Sequence, residues 1–300
     1  MRARRSRRTL PVIALLAGLA ASGCASSNDS STVSSGGSAG ASGGPSGPAS
    51  LVPPEIRKAG VIRAATDGTY PPNEFTGPDG KTLVGFDIDL ANAVAKELGL
   101  RVEFANAKFD SILTGIQGNR YDLAYSSFTD NKERQAKVDF VDYFTAGTSI
   151  LVKKGNPQKI GRLEDLCGKK VALESGTVQV GIAKGARCTG GQKIEVTQLP
   201  DDAAARLQVK TGRAVADMND FPVAAYTAKT SGGGNDFEVV GMQYETAPYG
   251  IAVSKQLPGL RDAVKGALDK LIADGGYTEI LKKYDIEQGA LKTVTVNAGK

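Results

Sequence analysis

The sequence has no histidine and only three cysteines among its 300 residues. Without histidine, the chain lacks the commonest metal ligand and the commonest general base. The cysteines at positions 24, 167 and 188 have no Cys-x-x-Cys spacing, so they form a poor zinc or redox pattern. A Gly-x-x-x-x-Gly-Lys motif for nucleotide phosphates is also missing. We therefore expect no metal site, no cofactor and no ATP hydrolysis by this chain.

An excess of one charge is also absent once the first 23 residues are set aside. The formal net charge of +5 includes five arginines, and no acidic residue, before Cys24. Removing these arginines lowers the count of Lys and Arg from 37 to 32, which equals the 32 acidic residues. The positive charge therefore belongs to the leader, and we expect no nucleic-acid partner.

The leader has the pattern of an export signal. An apolar run from Leu10 to Ala21 follows the arginines and is too short to cross a bilayer. Small residues then lead to Cys24, which suits signal cleavage followed by lipid attachment. We interpret residues 1–23 as a lipoprotein signal peptide and Cys24 as the lipidated residue, which anchors the protein to the outer face of the cell membrane. An ordinary cleaved secretory signal is the alternative, and the export route, general or twin-arginine, stays open.

Residues 24–50 are predicted to form a flexible tether. After Cys24 they consist almost wholly of Ser, Gly, Ala, Asn and Pro, which cannot bury a core. A coil of this kind spans on the order of 25 to 30 Å. The folded part can therefore stand just off the membrane.

Two cysteines, Cys167 and Cys188, remain in the folded part. In an exported protein an even pair is best interpreted as a disulfide, because the compartment is oxidising. Closing a loop of this length stabilises the fold by about 3 kcal/mol in the chain-entropy model. Two inert thiols are the alternative.

The region from residue 51 to residue 300 is long enough for two small domains. Short apolar runs typical of strands alternate with helical patterns, and this alternation favours an α/β architecture. The strand candidates are Val61–Ala65, Val102–Phe104, Ile150–Val152, Val171–Leu173 and Gly250–Val253. The helix candidates are Asp87–Leu98, Pro258–Ala273 and Tyr277–Tyr284.

Residues 121–144 carry the most informative pattern. A short buried strand ends in side chains that present hydroxyl donors and acceptors, namely Ser126, Ser127 and Thr129. Arg134 follows about one turn into the next helix, where its guanidinium can reach back and hold a carboxylate in a bidentate grip. The alternative is a solvated helix arginine that pairs with Asp130 or Glu133. Hydroxyls for an ammonium and an arginine for a carboxylate indicate a receptor for amino acids.

Three other segments supply candidate ligand contacts. Tyr70 can project from a loop, and Phe109 opens a helix. The two rings can enclose a ligand between them, and a core position is the alternative for each ring. Val178 begins a helix after a glycine turn, where exposed backbone N–H groups suit a carboxylate, although such turns are common. Asp220 ends a strand and can either meet an ammonium or simply cap the next helix.

Together and in this order, these segments resemble the extracellular solute-binding proteins, family 3, of bacterial polar amino-acid ABC importers. The resemblance extends from Ile56 to about Asp285. It rests on Gly60-Val61-Ile62-Arg63, Gly85-Phe86-Asp87-Ile88-Asp89-Leu90, Ser127-Phe128-Thr129 with Arg134, and Asp274-Gly275-Gly276-Tyr277 with Lys283-Tyr284. It implies a two-lobed α/β fold like that of type II periplasmic binding proteins, in which each lobe is a sheet flanked by helices.

The resemblance also implies how the chain is divided between the lobes. Lobe 1 consists of residues 51–147 and 247–300, and lobe 2 consists of residues 148–246. Two extended crossovers join the lobes, near Ala146–Ile150 and Met242–Tyr249.

The same resemblance implies a role for each ligand residue. The α-carboxylate is held by Arg134 and by the backbone of Thr129 and Val178. The α-ammonium is held by Ser127, Thr129 and Asp220, and the ligand side chain lies against Tyr70 and Phe109. Its far end, which decides specificity, faces Asp67, Ser126, Glu174 and Gln179. Val178 and Asn73 depart from the pattern, because many relatives have threonine and phenylalanine there.

The specificity end favours a cationic or neutral polar amino acid. It offers the carboxylates of Asp67 and Glu174, and the only cation is Arg134, which is committed to the α-carboxylate. Burying a second negative charge among carboxylates is costly, so glutamate and aspartate are disfavoured. The direction of Lys108, beside Phe109, stays open.

We therefore expect a monomeric, lipid-anchored receptor that binds a free amino acid between two lobes and delivers it to an ABC permease. One alternative is a cyclohexadienyl (prephenate or arogenate) dehydratase-like enzyme on the same fold, with Glu174 or Asp67 as general acid. No nucleophile and base pair supports that chemistry, so we expect no enzyme activity. A sensor for a separate signalling partner is the other alternative.

Overall fold

The computed structural model describes residues 46–300. The predictions of a signal peptide at 1–23, of lipidation at Cys24 and of most of the tether fall on residues outside this range. Within the described range, no helix combines the length and the apolar character needed to cross a membrane.

Nine α-helices are described within residues 46–300, and most form where the sequence places apolar residues three and four positions apart. In the longest helix the buried residues include Leu260, Val264, Leu268 and Leu271, which share one face. The helices are α1 Pro54–Ala59, α2 Phe86–Glu97, α3 Phe109–Gln117, α4 Lys132–Gln135, α5 Val178–Gly185, α6 Asp202–Lys210, α7 Phe221–Thr230, α8 Pro258–Ala273 and α9 Gly276–Lys283. Short 3-10 turns occur at Gly47–Leu51, Leu163–Leu166, Thr189–Gly191, Ser231–Gly234 and Glu287–Gly289.

Eleven strands are described, eight of them in one sheet. The strands are β1 Val61–Thr66, β2 Thr69–Tyr70, β3 Glu74–Thr76, β4 Leu83–Val84, β5 Arg101–Asn106, β6 Leu123–Ala124, β7 Asp139–Lys153, β8 Lys170–Glu174, β9 Glu195–Leu199, β10 Ala216–Asp220 and β11 Phe237–Val253. The large sheet has the order β5-β1-β6-β11-β7-β10-β8-β9, and β2, β3 and β4 form a small separate sheet. The predicted helices, and the strands predicted at Val61–Ala65, Val102–Phe104 and Val171–Leu173, are present within a residue or two of the expected bounds. The stretches Ile150–Val152 and Gly250–Val253 are only the ends of the much longer strands β7 and β11, so their predicted starts are wrong.

The two long antiparallel strands β7 and β11 run through both halves of the large sheet. Parallel strands β1 and β6 lie on one side of this pair, and β10 with β8 lies on the other. The β7 and β11 register shifts between Val240 and Tyr244 and again before Ala247, so their pairing is irregular midway along the sheet. The predicted crossovers lie in this middle part of β7 and β11.

Separate hydrophobic cores lie to either side of that irregular pairing. One core contains Phe86, Tyr143 and Leu268, and the other contains Ile150, Leu173 and Met218. Strand β7 thus contributes Tyr143 to one core and Ile150 to the other. Because each half has its own core, the chain forms two lobes, as predicted, and we refer to them as lobe 1 and lobe 2.

The predicted disulfide is present in lobe 2. Cys167 and Cys188 are bonded, and their Cα atoms are 5.7 Å apart. The bond joins the turn after Leu166 to the loop after α5. It closes the edge of lobe 2 next to β8 and β9.

Candidate functional site

A cavity lies between the lobes, where the ends of β1, β6, β8 and β10 meet. About 20 Å³ of it is open to the centres of water molecules, so the two lobes enclose it tightly. The cavity is lined by Asp67, Tyr70, Glu74, Phe109, Ser126, Ser127, Thr129, Arg134, Glu174, Thr177, Val178, Gln179 and Asp220. The structure therefore brings all eleven predicted ligand residues together around one cavity, and adds Glu74 and Thr177.

Arg134 is held in the cavity by α4 and by the opposite lobe. The side chain of Asn131 caps α4 by accepting a 2.9 Å hydrogen bond from the backbone N–H of Arg134. The Arg134 guanidinium donates to the Thr129 carbonyl at 2.8 Å and, across the cleft, to the Gly176 carbonyl at 3.0 Å. Two of its five N–H donors are thus used to fix its position, which leaves others for a ligand.

Burial and aromatic packing set the electrostatics of Arg134. The residue is only 6% exposed, and its guanidinium carbon lies 5.3 Å from the ring centroid of Phe109 and 5.2 Å from that of Phe128. Burial lowers the pKa of Arg134 to about 10, so the side chain remains charged at neutral pH. The alternative of a solvated arginine paired with Asp130 or Glu133 is therefore wrong.

Phe109 packs against Phe128 with ring centroids 4.3 Å apart in a stacked arrangement. The Arg134 guanidinium lies beside both rings, and Phe109 also lines the cavity. Phe109 is only partly buried and stands at the cavity wall, so the alternative of a core position does not describe it. This ring offers a flat apolar surface to whatever the cavity holds.

A pair of buried carboxyl groups, Glu74 and Asp87, underlies the hydroxyl residues. Ser127 donates from its hydroxyl to Glu74 at 2.9 Å and from its backbone N–H to Asp87 at 2.9 Å. The Tyr143 hydroxyl donates to Asp87 at 2.7 Å. Burial raises the pKa of Asp87 to about 6 and, together with the charge of Asp87, raises the pKa of Glu74 well above its usual range. Glu74 accepts from the hydroxyls of Ser126 and Ser127 and so orients them.

Asp220 joins the two lobes rather than capping α7. Its carboxylate accepts from the Gln179 amide at 2.8 Å and from the Tyr70 hydroxyl of lobe 1 at 3.2 Å. No side-chain hydrogen bond caps α7 at this residue, so the capping interpretation is wrong. Burial raises the pKa of Asp220 to about 6, and the residue is largely ionised at neutral pH. It lines the same cavity as Ser127 and Thr129.

The specificity end of the cavity is acidic. Asp67 accepts from the Thr69 hydroxyl at 2.9 Å and from the Phe109 backbone at 3.0 Å. Glu174 is 6% exposed, and among the described residues its Oε1 atom has no hydrogen-bond partner. Burial, and then the charge of Asp67, raises the pKa of Glu174 to about 10. A buried carboxyl without a partner is costly, and a cation beside it removes that cost.

More carboxyl groups lie behind Glu174. Asp202 and Asp217 are buried, and burial raises the pKa of each carboxyl group. Arg206 approaches Asp202 at 3.0 Å and donates across the cleft to the Thr69 carbonyl at 3.2 Å. The protein itself therefore pairs only part of this group of buried carboxyls with a cation.

Lys108 points away from the cavity. Its ammonium forms a 2.9 Å ion pair with Asp201, on the rim of lobe 2, and lies outside the cavity lining. Its nearest partner is therefore Asp201, and its charge acts on Asp67 and Glu174 only at longer range. Asn73, the other open position, is fully buried and donates to the Ser127 hydroxyl at 2.9 Å, so it supports the lining rather than forming it.

Glu74 and Thr177 were not predicted as lining residues. Glu74 begins β3, in a polar stretch of the sequence, and meets its partners Asp87 and Ser127 only in the folded chain. Thr177 bonds its hydroxyl to the Glu174 carbonyl at 2.9 Å and closes the turn before α5. Across residues 46–300, no group of three or more Cys, Asp or Glu side chains is arranged to hold a metal ion.

The chain is similar to known amino-acid receptors. It is 33% identical over 253 residues to the arginine-binding protein ArgT of Corynebacterium glutamicum, over 83% of this chain and 82% of the relative. Its structure is similar to that of an ancestral arginine-binding protein bound to arginine, with a TM-score of 0.70 and 38% identity over 75% of this chain and 98% of that chain. An ancestral arginine-binding protein bound to glutamine gives a TM-score of 0.69 and 39% identity over 75% and 97% of the two chains.

These similarities confirm the predicted two-lobed fold of type II periplasmic binding proteins. Residues 62–287 match the family model described as bacterial extracellular solute-binding proteins, family 3. The match covers both lobes and every residue that lines the cavity. The chain belongs to the bacterial extracellular solute-binding proteins, family 3.

Proposed function

We propose that this protein is the extracellular receptor of an amino-acid ABC importer and that its ligand is a cationic amino acid, with arginine as the first candidate. One observation carries the choice of ligand: Glu174 is buried at the cavity wall without a partner among the described residues. A guanidinium or ammonium group is the natural partner for such a carboxylate. The arginine-binding relatives support the same choice.

The α-carboxylate and α-ammonium of the ligand would occupy the opposite end of the cavity. Arg134 and the backbone N–H groups of Thr129 and Val178 hold the carboxylate. Ser127, Thr129 and Asp220 hold the ammonium, since Asp220 is ionised and the serine hydroxyl is oriented by Glu74. Val178 serves as well as threonine there, because the contact uses its backbone at the start of α5.

The ligand side chain then runs between Tyr70 and Phe109 toward Asp67 and Glu174. An aliphatic chain or a planar guanidinium packs well against the exposed face of Phe109. Its cationic end lies among carboxylates, and Lys108 does not compete for them. Glutamate would add a negative charge to the same place and is disfavoured. Glutamine is the second candidate, since its amide also donates hydrogen bonds.

Binding is proposed to be coupled to closure of the lobes. We keep the boundaries at 147/148 and 246/247, which fall where β7 and β11 pair irregularly. The ligand contacts both lobes at once, so it stabilises the closed state by its difference in affinity between closed and open forms. The closed receptor then delivers the amino acid to the permease.

The proposal includes the location of the receptor. Residues 1–23 would direct export, and acylated Cys24 would hold the protein as a monomer on the outer face of the cell membrane. The tether would let the lobes reach the permease. The named relatives are binding proteins, and this protein is a binding protein rather than an enzyme. The dehydratase-like alternative is therefore not favoured.

A thermal-shift screen tests the ligand class. Purified protein is freed of bound ligand by denaturation, dialysis and refolding, and is then heated with each standard amino acid, ornithine, citrulline or ectoine. At 100 times Kd, binding adds about 2.7 kcal/mol of stability, which raises Tm by roughly 5 to 11 °C for a chain of this size. We expect this shift with arginine, and smaller shifts with lysine, ornithine or glutamine. No shift with any amino acid would contradict the proposal.

Breaking the ion pair between Lys108 and Asp201 should weaken ligand binding, although neither residue lines the cavity. Under the proposed boundaries the pair joins the lobes, so Asp201→Asn destabilises the closed form. Asparagine also keeps the cap of α6, where Asp201 accepts from Ala204. Lys108 is 56% exposed, so the pair is screened by solvent, and we expect Kd to rise only about two- to threefold.

The matched control is Lys265→Gln, which breaks an ion pair within α8. Calorimetry at low and high salt should show the effect of Asp201→Asn shrinking as salt rises, because ions screen the pair. An unchanged Kd at low salt would show that this pair does not contribute to closure.

A further inference from the structure

The segment Val294–Gly299 lies beyond the residues that match the family model, which end at 287. It runs antiparallel to the start of β7, with a bridge between Val141 and Val296. The Asp142 backbone donates to the Thr295 carbonyl at 2.9 Å, and the Asn297 backbone donates to the Phe140 carbonyl at 3.1 Å. The segment thus adds one more strand-like stretch to lobe 1.

The end of this segment contacts the loop that carries the ligand clamp. The Gly299 N–H donates to the Asp130 carboxylate at 2.7 Å. The Gln135 amide donates to the Gly299 carbonyl at 3.0 Å and to the other oxygen of Asp130 at 2.8 Å. Asp130, Gln135 and Gly299 therefore form a closed ring of hydrogen bonds around the ends of α4.

Only glycine fits at position 299. A Cβ atom there would overlap the backbone carbonyl of Asp130 and would approach its Cγ at 2.7 Å. The obstacle includes backbone, so a larger residue must displace the loop or the segment. Gly299 is itself buried, which leaves little room for the displacement.

Asp130 connects this contact to Arg134. The Asp130 backbone N–H donates to the Pro248 carbonyl of β11 at 2.8 Å. Its neighbours are Thr129, whose carbonyl accepts from the Arg134 guanidinium, and Asn131, which caps α4. A shift of Asp130 therefore moves both the carbonyl that orients the guanidinium and the helix that carries it.

A second carboxyl group ties the segment to the same place. Asp142 is fully buried and accepts from the Thr295 hydroxyl at 2.6 Å and from the Ala298 N–H at 3.3 Å. Burial, with Asp130 nearby, raises the pKa of Asp142 to about 7. The carboxyl groups of Asp130 and Asp142 thus both accept hydrogen bonds from the segment, which removes much of the cost of burying them.

We propose that the segment Val294–Gly299 positions the carboxylate clamp of this receptor, and that Gly299 is the positioning residue. The proposal rests on the proposed function, since it assigns the segment to the part of the site that holds an α-carboxylate. The segment touches neither the cavity nor the specificity end. It acts through Asp130 on Thr129 and Arg134.

Gly299→Ala should weaken arginine binding at least about tenfold, because a bidentate charge-assisted contact is sensitive to small displacements. Binding of agmatine, which is arginine without the carboxylate, should stay within about twofold, because its guanidinium end is held at Glu174 in lobe 2. Calorimetry, with competition where binding is weak, measures both ligands. Lys292→Ala is the control, since this exposed residue precedes the segment.

Amide hydrogen exchange of the ligand-free protein supplies a second readout that does not depend on ligand affinity. Gly299→Ala, or deletion from residue 298 onward, should accelerate exchange in residues 128–136 and leave β10 and α5 unchanged. Exchange confined to that loop, with loss of arginine but not agmatine affinity, supports the proposal.

Equal losses for both ligands, or faster exchange throughout lobe 1, would show a general structural role and overturn it. Unchanged exchange and unchanged arginine affinity in Gly299→Ala would overturn the positioning role alone. If the native protein bound no amino acid, the proposed function would fail first, and the assignment of the segment to a carboxylate clamp would fail with it.

Discussion

Alanine at position 134 should abolish measurable amino-acid binding while the protein stays folded. The buried α-carboxylate would lose its only charged partner in the cavity, at a cost of at least about 3 kcal/mol, which is a loss in affinity of roughly 150-fold or more. Folding should survive, because burial of Arg134 is itself unfavourable and lowers its pKa to about 10. The variant loses the two hydrogen bonds from the guanidinium to the carbonyls of Thr129 and Gly176, but it no longer has to bury a charged group.

Arg134→Lys separates charge from geometry. Lysine keeps the positive charge but cannot form the planar bidentate contact, so we expect affinity between that of the native protein and that of Arg134→Ala. The matched control is Arg120→Ala, since Arg120 is an exposed arginine packed over the Tyr121 ring, outside the cavity. Calorimetry gives the affinities, and circular dichroism with a thermal scan checks the fold. Native affinity in Arg134→Ala would refute the carboxylate clamp.

Glu174→Gln should reverse the preference between cationic and neutral ligands. The change removes the carboxylate that pairs with the ligand cation and keeps nearly the same shape. We expect arginine binding to weaken by about 2 to 3 kcal/mol, which is the usual contribution of a buried hydrogen bond between charged groups. Glutamine or citrulline should bind as well as before or more tightly, because the amide at position 174 can form a hydrogen bond with the neutral end of either ligand. Glu164→Gln is the control, since Glu164 is exposed on lobe 2.

The same substitution should stabilise the ligand-free protein at alkaline pH. The pKa of Glu174 is about 10 in the folded protein, above its ordinary value of 4.5. The folded state therefore retains a proton that the unfolded state has lost, and this group makes the free energy of unfolding fall as pH rises from about 5 to about 10. The slope for one proton is at most about 1.4 kcal/mol per pH unit. Below the ordinary pKa both states are protonated, and the effect vanishes.

Glutamine does not titrate, so the difference in unfolding free energy between Glu174→Gln and the native protein isolates this group. Denaturant unfolding at several pH values between 5 and 9 measures that difference. We expect it to grow with pH in favour of the variant. Arginine binding to the native protein should also release a proton near neutral pH, seen as a binding enthalpy that depends on the ionisation enthalpy of the buffer. A difference that stays constant with pH would contradict the burial of an unpaired Glu174.

The grouping of Ser127, Thr129 and Arg134 around one cavity was predictable because these residues are close along the chain. Ser127, Thr129 and Arg134 span less than two helical turns, so a strand end followed by a capped helix already brings them together. The periodicity of α8 and the apolar runs of β1 and β8 likewise depend on local spacing. These features needed no long-range contact to be recognised.

The features that depend on distant contacts were not predictable in the same way. Glu74 contacts Ser127 from a distant part of the chain. Nothing in the polar sequence around Glu74 distinguishes a buried carboxyl group from an exposed one. Asp220 has the position of a helix cap, and only the Tyr70 hydroxyl from the other lobe shows that it bridges the cleft. Lys108 had no defined direction until the position of Asp201 was known.

The segment that ends at Gly299 shows the same limit. Its alternating Thr and Val residues suggest an edge strand, but a lone glycine near them predicts no partner. Close approach to the Asp130 backbone is what requires glycine there. That contact joins residues far apart in sequence, so only the fold reveals it.

We propose that the cavity holds an amino acid by its carboxylate at Arg134 and by a side-chain cation at Glu174. Calorimetric titration of the ligand-freed protein with arginine, glutamine and glutamate tests this claim most directly. We predict tight binding of arginine, weaker binding of glutamine and no measurable binding of glutamate. Tight binding of glutamate, with no binding of arginine, lysine, ornithine or glutamine, would contradict it.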